Sequence, residues 1–360
     1  MALYIGIMSG TSLDGVDTAL CKITKGQCTL QASYEHPFPP DLKDEILATI
    51  QNKTSLQSIG ELDVKLGLLF GDAVSVLLEQ NKLTSDDIVA VGLHGQTLWH
   101  EPLSRYPFSM QLGNANVVVS QTGITTVADF RGADIAHGGE GAPFAPLFHK
   151  EVFTQEGRNI AVVNIGGMAN ITTLSKEFAG WDIGCGNVLM DSFIQKIQNK
   201  AYDKEGNFAK SGKLNMQLLQ NMLKDPYFLK EAPKSTGREY FNLSWLNTYL
   251  QNFQDIPSAD IQRTLLELTA TTIANAVNRL GSDELIICGG GAKNSFLMQR
   301  LQTLCKAKLS LSEKYGINSD FLEAMIFAWL AYKRIHKEKL LLTPITGSYK
   351  ALLLGALYEP

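Results

Sequence analysis

The sequence predicts an α/β protein of two lobes, each built on its own sheet. Three observations carry that expectation. The chain has 360 residues, 45% of them apolar, which is enough for a core larger than one domain needs. It opens as an apolar strand, a small polar turn and a second strand, and near residue 160 it opens again in the same manner. Between the two openings lies GADIAHGGEGAP, residues 132–143, whose glycines and proline favour an irregular crossing between lobes.

In chain order, strands are expected at Leu3 to Met8, Val16 to Ile23 and Cys28 to Tyr34, helical stretches between 40 and 82, a strand near Ile88 to Leu93, and a strand within ITTVADF at 124–130. The second half reads as strands Ile160 to Val163, Ala169 to Leu174 and Phe178 to Ile183, then helices near 186–199, 213–223 and 259–280. Strand Leu285 to Cys288, helix 293–305, strand 308–312, helix 318–336 and a short terminal helix at 349–358 complete the pattern. The lobes are expected at 1–130, joined by a C-terminal helix at 344–360, and at 131–343. Two halves that each begin with a glycine-tipped hairpin, facing each other across a cleft, form the architecture of actin-like kinases.

The net charge of −4 and the lack of long Lys/Arg runs argue against a nucleic-acid surface. MALYIGIMSG has no basic region before its apolar stretch, and no run of about 18 apolar residues is present, so neither a signal peptide nor a membrane span is expected. The expected compartment is the cytoplasm and the expected partner a small molecule. Cys21, Cys28, Cys185, Cys288 and Cys305 are scattered and contain no C-x-x-C, which speaks against disulfides and zinc.

The first hairpin tip is Ser9-Gly10-Thr11-Ser12-Leu13-Asp14-Gly15, leading into Val16 and Asp17. Glycines let backbone N–H groups approach an anion, and hydroxyls add donors, so a nucleotide phosphate tail suits it; an ordinary Gly/Ser turn would look the same. Asn164-Ile165-Gly166-Gly167 is a second stripped tip, and Gly289-Gly290-Gly291 with Asn294 ends a strand and opens a helix where a base or ribose could lie. A Walker A loop fails, because Gly212-Lys213 is followed by Leu214 and Asn207 stands where its first glycine belongs. A dinucleotide fingerprint at Gly289-x-Gly291 has Asn294 at its third glycine.

Asp182, in WDIGCGN, closes a strand before a glycine turn and could act as general base on a hydroxyl or a water, or could cap the next turn or helix. Arg131 could grip a carboxylate or phosphate, or form a structural ion pair. Gln96, in GLHGQTLWH, suits sugar hydroxyls, whereas His94 and His100 lack a further metal-ligand pattern. Glu323 is an acid in an apolar helical stretch, either functional or a solvated helix-start carboxylate.

Taken together, IGIMSGTSLDGVD, GLHGQTLWH, QLGNAN, ADFRGADIAHGGEGAP, VNIGGMANIT, WDIGCGN, PKSTGREYFN, ICGGGAKN, EAMIFAWLA and TPITG run in order along the chain. This series resembles the anhydro-N-acetylmuramic acid kinases. The resemblance implies an actin/hexokinase-like (ASKHA) two-lobed fold with duplicated ribonuclease-H-like cores and an interlobe cleft, a cytoplasmic role in peptidoglycan recycling, and a homodimer. It implies that ATP, water and the 1,6-anhydro sugar give N-acetylmuramic acid 6-phosphate and ADP. Asp182 matches the family's general base and the Gly10 to Asp17 loop its ATP-phosphate segment. Arg131 and Glu323 resemble sugar-contacting positions, and Mg²⁺ is expected with ATP. Three residues depart from the pattern: Glu140 for Gln, Cys185 for Pro and Ser348 for Ala. The competing readings are a kinase for another sugar and a non-catalytic nucleotide switch.

Overall fold

The computed structural model describes the whole chain except Met1, Thr11, Ser12, Asp14, Asn52, Lys176, Glu177, Pro233 and Gln254. Two compact units emerge, unit 1 from Met1–Val152 with Gly316–Pro360 and unit 2 from Phe153–Tyr315.

Unit 1 contains β1 (Ala2–Ser9), β2 (Gly15–Thr24), β3 (Gln27–Pro37), β4 (Ile88–Glu101), β5 (Phe108–Leu112) and β6 (Thr126–Ala128). Its sheet runs β3-β2-β1-β4-β6 and ends on a C-terminal strand, Ala356–Tyr358, with β5 paired to the outer part of β4. β1 and β2 form an antiparallel hairpin from Ala2↔Ile23 to Ser9↔Val16, while β4 joins β1 in parallel. Alternation along β1 explains how the sheet is covered. Ile5 and Ile7 turn into a core with Leu62, Leu66, Phe70 and Val74 of helix Leu56–Asn81. The opposite face meets helix Leu322–Ile335, where Tyr4 touches Tyr332 edge-on. That helix lies so close that a Cβ on Gly6 would overlap Ala324 O and one on Gly92 would overlap Phe327 O.

Unit 2 repeats the plan with β7 (Ile160–Ile165), β8 (Met168–Leu174), β9 (Phe178–Cys185), β10 (Glu284–Cys288) and β11 (Lys308–Leu311), in the order β9-β8-β7-β10-β11. β7–β8–β9 is antiparallel, and β10 and β11 add in parallel. Each unit therefore holds the same three-strand meander extended by parallel crossovers, the duplicated ribonuclease-H-like core of the expected fold class. Helix Ser258–Leu280 is buried over most of its length and is stopped by Gly281 in the left-handed region.

Three expectations need correction. Residues 132–143 and 316–343 belong to unit 1, so its boundaries fall at 152 and 316 rather than at 130 and 344. The Gly-rich stretch is not a crossing, because fully buried Asp134 folds it back: its Oδ2 accepts from Gly141 N at 2.7 Å and its Oδ1 from Thr346 Oγ1 at 2.9 Å. The terminal helix is absent. Gly355, at φ +88°, leaves no room for a Cβ beside Val127 and breaks the apolar run into strands Ala351–Leu352 and Ala356–Tyr358, the latter pairing antiparallel with β6. The C-terminal segment does pack into unit 1, but as strand.

Candidate active site

In unit 1 the end of β1 is tied across to β4. Ser9 Oγ donates to Gln96 Oε1 at 2.6 Å, and both side chains are buried. Gln96, expected to meet sugar hydroxyls, thus spends its carbonyl on the hairpin base, and its Nε2 donates to Thr97 O at 3.3 Å. Gly10 O accepts from Leu13 N at 3.2 Å, and Leu13 is buried at φ 55°. Thr11, Ser12 and Asp14 lie outside the described residues. A Cβ on Gly15 would stand 2.6 Å from Glu35 Oε1, so the Glu35 side chain would have to shift to admit one. Val16 is buried beside Ser9 in the hairpin. Asp17 comes next, its carboxyl pushed up to about 6 by burial and then by the charges of Glu35, Glu323 and Asp320.

Arg131 Nη2 donates to His94 Nε2 at 2.8 Å, and Nη1 donates to Gly141 O at 3.0 Å. A guanidinium has donors only, so His94 Nε2 is the acceptor and the ring proton sits on Nδ1. Burial, then the Arg131 charge, lowers His94 to about 3, which keeps the imidazole neutral. Glu323 stands in the first turn of helix Leu322–Ile335 and retains solvent-accessible surface. The protein around it still removes enough water to push its carboxyl up, with the Arg131 charge pulling the other way. A cavity of about 640 Å³ in the same unit is lined by His94, Gly95, Met110, Asn116, Asp129 and Gly132 among others. Arg131, Gln96 and Glu323 do not line it, though Arg131's partner His94 does.

In unit 2, Asp182 stands on β9, one of the two edge strands of the sheet. Its Oδ2 accepts from Ser235 Oγ at 2.9 Å and from Thr236 N at 3.0 Å. Among the described residues no donor reaches Oδ1. The Gly166–Gly167 turn is fixed from behind, for Gly167 O accepts from Gly186 N and Val188 N, and Gly166 O from Asn187 N. Gly186 must be glycine, because a Cβ would overlap Gly166 O. At the third glycine segment Asn164 lies in register between Cys288 and Asn170. A Cβ on Gly289 would overlap Asn164 Oδ1, and one on Gly291 would overlap the Ile165 side chain, whereas Gly290 faces open space. Asn294 Oδ1 caps helix Ser295–Leu304 by accepting from Leu297 N at 3.0 Å. Cys185 is buried, its thiol pushed up to about 12 by burial, so it does not offer a thiolate.

The family model for anhydro-N-acetylmuramic acid kinase matches residues 2–360. The chain belongs to the anhydro-N-acetylmuramic acid kinase family. A member from Sulfurovum sp. is 52% identical over 356 residues, covering 99% of this chain and 98% of the relative. One from Sulfurimonas denitrificans is 50% identical over 364 residues, covering 99% of each. Among solved structures, the Acidaminococcus fermentans (R)-2-hydroxyglutaryl-CoA dehydratase component A is similar over 93% of this chain and 100% of its own, with TM-score 0.49 and 11% identity.

The three departures from the family pattern are accommodated. Glu140 points its charge into solvent, Cys185 packs in the unit 2 core, and Ser348 is wholly buried. The contacts that sequence reasoning missed are those of His94 with Arg131 and of Ser235 and Thr236 with Asp182. Arg238 was missed too; its guanidinium would come within 3.6 Å of a Cβ on Gly167. Ser235, Thr236 and Arg238 all sit in PKSTGREYFN, a segment with no periodicity to mark it, and only its match to the family pattern singled it out. Among the described residues no helix is long and apolar enough to cross a membrane, and no group of three or more His, Cys, Asp or Glu side chains could hold a metal unaided.

Proposed function

We propose that this chain is an ATP-dependent kinase that opens the 1,6-anhydro ring of 1,6-anhydro-N-acetylmuramic acid with water and phosphorylates O6, giving N-acetylmuramic acid 6-phosphate and ADP. The observation that carries the reading is the family match over residues 2–360, and within it we assign Asp182 the role of general base. A carboxylate with one oxygen engaged and the other open suits proton abstraction. Asp182 takes a proton from water as the water oxygen bonds to C1. The C1–O6 bond breaks, and O6 keeps the electron pair that attacks the γ-phosphorus and releases ADP. One base thus serves both the hydrolysis and the transfer.

Arg131, Glu323 and Gln96 are proposed to bind the sugar. Arg131 brings a guanidinium already aligned by His94 and Gly141, and Gln96 acts chiefly by fixing Ser9. Ser9, Gly10, Thr11, Ser12, Leu13, Asp14, Gly15, Val16 and Asp17, with Asn164, Gly166, Gly167, Gly289, Gly290, Gly291 and Asn294, are proposed for ATP. Within this set Asn294 also caps helix Ser295–Leu304. The residues fit Mg²⁺ as a companion of the phosphates. Asp17 is held near 6 by burial and like charges, so a cation would relieve it, and Mg²⁺ needs only one or two carboxylates beside phosphate oxygens and water. When bound it would neutralise charge on the transferring group. A cytoplasmic homodimer is proposed on the same family ground.

Mass spectrometry of the product formed with ATP, Mg²⁺ and the anhydro sugar in ¹⁸O-labelled water tests the reading. A sugar that gains a phosphoryl group and one labelled oxygen supports it. Phosphorylation without label, or unchanged sugar with intact ATP, overturns it.

A further inference from the structure

β9 is an edge strand, and edge peptide groups ordinarily face solvent. At Asp182 they do not. Asp182 N donates to Lys234 O at 3.0 Å, and Asp182 O accepts from Tyr227 OH at 2.8 Å. The same residue's carboxylate is held by Ser235 Oγ and Thr236 N. Three separate groups of Asp182 are therefore gripped by the 227–236 segment. On the sheet side the register shifts between Ala169 and Asn170, so β8 pairs Asn170 with Asp182 and Ala169 with Gly184 across an irregularity. Such bulges re-aim a side chain and loosen the ladder at that point. The orientation of Asp182 depends on the segment more than on the sheet.

The segment has its own anchor. Asp225, 5% exposed, receives four donors. Its Oδ1 accepts from Tyr227 N and Tyr240 OH, both at 2.8 Å, and its Oδ2 from Trp245 Nε1 at 2.8 Å and Tyr249 OH at 2.9 Å. These donors come from helix Pro226–Leu229, the turn at Tyr240 and helix Leu243–Leu250, so one carboxylate gathers the stretch on both sides of Ser235. Tyr227 links anchor and base: its N–H is on Asp225, its hydroxyl on Asp182, and its carbonyl accepts from Lys234 Nζ at 3.1 Å.

We propose that Ser235 and Asp225 are positioning residues for Asp182. Ser235 pins Oδ2 so that Oδ1 is the oxygen presented to the proton, and Asp225 holds the segment that carries Ser235. The proposal rests on the reading of Asp182 as the general base.

The test compares Ser235→Ala, Ser235→Thr, Asp225→Asn and Asp182→Asn in steady-state kinetics with ATP, Mg²⁺ and the anhydro sugar, alongside thermal unfolding. Ser235 is exposed, so its replacement tests the contact without threatening the fold. Ser235→Ala is expected to lower kcat about tenfold, near the worth of one hydrogen bond to a charged group, with both KM values within about twofold. Ser235→Thr keeps the hydroxyl and is expected to recover most of kcat. Asp225→Asn presents an amide N–H to donors already aimed at it and is expected to lower both kcat and the unfolding temperature. Adding Ser235→Ala to it should cost less than the separate losses multiplied together, because both act through one segment. Wild-type kcat in Ser235→Ala, or a rise in KM alone, overturns the proposal. An equally inactive Ser235→Thr does so too. If Asp182→Asn itself stays active, the base assignment falls first; if it is inactive while Ser235→Ala is unaffected, only the positioning role is lost.

Discussion

Units 1 and 2 share a strand order but use different means to seat a helix against it. In unit 1, helix Leu322–Ile335 rests on bare backbone at Gly6 and Gly92. In unit 2, helix Ser258–Leu280 is fastened by a side chain, Thr269 Oγ1 donating to Gly186 O at 2.8 Å. The charged groups differ in the same sense. Unit 1 holds several away from their ordinary values: Asp17 and Glu323 raised, Arg131 and His94 lowered. Unit 2 surrounds its key carboxylates with donors. The contrast is one of degree, since burial also raises Asp191 in unit 2 to about 6 and donors also fix Asp134 in unit 1.

The comparison breaks most visibly at the proposed base. Asp182→Asn is expected to reduce turnover by about a thousandfold or more while the amide oxygen still accepts from Ser235 and Thr236, so ATP binding by calorimetry stays near wild type. Next comes Gly6→Ala, whose Cβ would meet the backbone of Ala324 rather than a movable side chain. It is expected to cost about 3 kcal/mol in urea unfolding and to disturb Glu323 on the same helix. The unit 2 counterpart, Thr269→Val, removes one hydrogen bond at a buried carbonyl and is expected to cost about 1–2 kcal/mol in the same measurement.

Asp17 sharpens the contrast through pH. Its folded value, about 6, exceeds the ordinary carboxylate value of 3.8, so the folded state binds the proton more tightly than the unfolded chain. Stability from this group is full below about pH 4 and is lost as pH rises through about 6. Asp17→Asn should therefore raise ligand-free stability at about pH 7.5 by about 1 kcal/mol, after discount for its partial exposure, and bring no gain at about pH 4. The smallest effect is expected at Ser348, whose buried hydroxyl has no partner among the described residues. Ser348→Ala should add up to about 1 kcal/mol to unit 1, read from the same unfolding curves.

Much of this was legible in the sequence because it depends on neighbours along the chain. Ile5 and Ile7 alternate with Gly6, and both glycine-tipped hairpins appear where the apolar runs break. Asp182 stood out as an acid just ahead of a glycine turn, although it does not close its strand, because β9 runs on to Cys185. The rest depends on partners far away. Asp134 contacts Thr346, 212 residues on, and that contact turns an expected crossing into a closed loop. The apolar run ALLLGALY reads locally as a short helix, and the sheet edge at β6 overrides that reading in favour of strand. Ser235 meets Asp182 across 53 residues, and nothing local to either predicts it.

The order of the units along the chain also orders their completion during synthesis. Unit 2 is one continuous stretch, so all of its strands have been made before residues 316–360 exist. Unit 1 begins first and finishes last: helix Leu322–Ile335, which covers one face of its sheet, and strand Ala356–Tyr358, which pairs with β6, are both late products. Until residues 316–360 are made, the first sheet has one face without its covering helix and one edge without its partner strand, the kinds of surface through which unfinished chains associate.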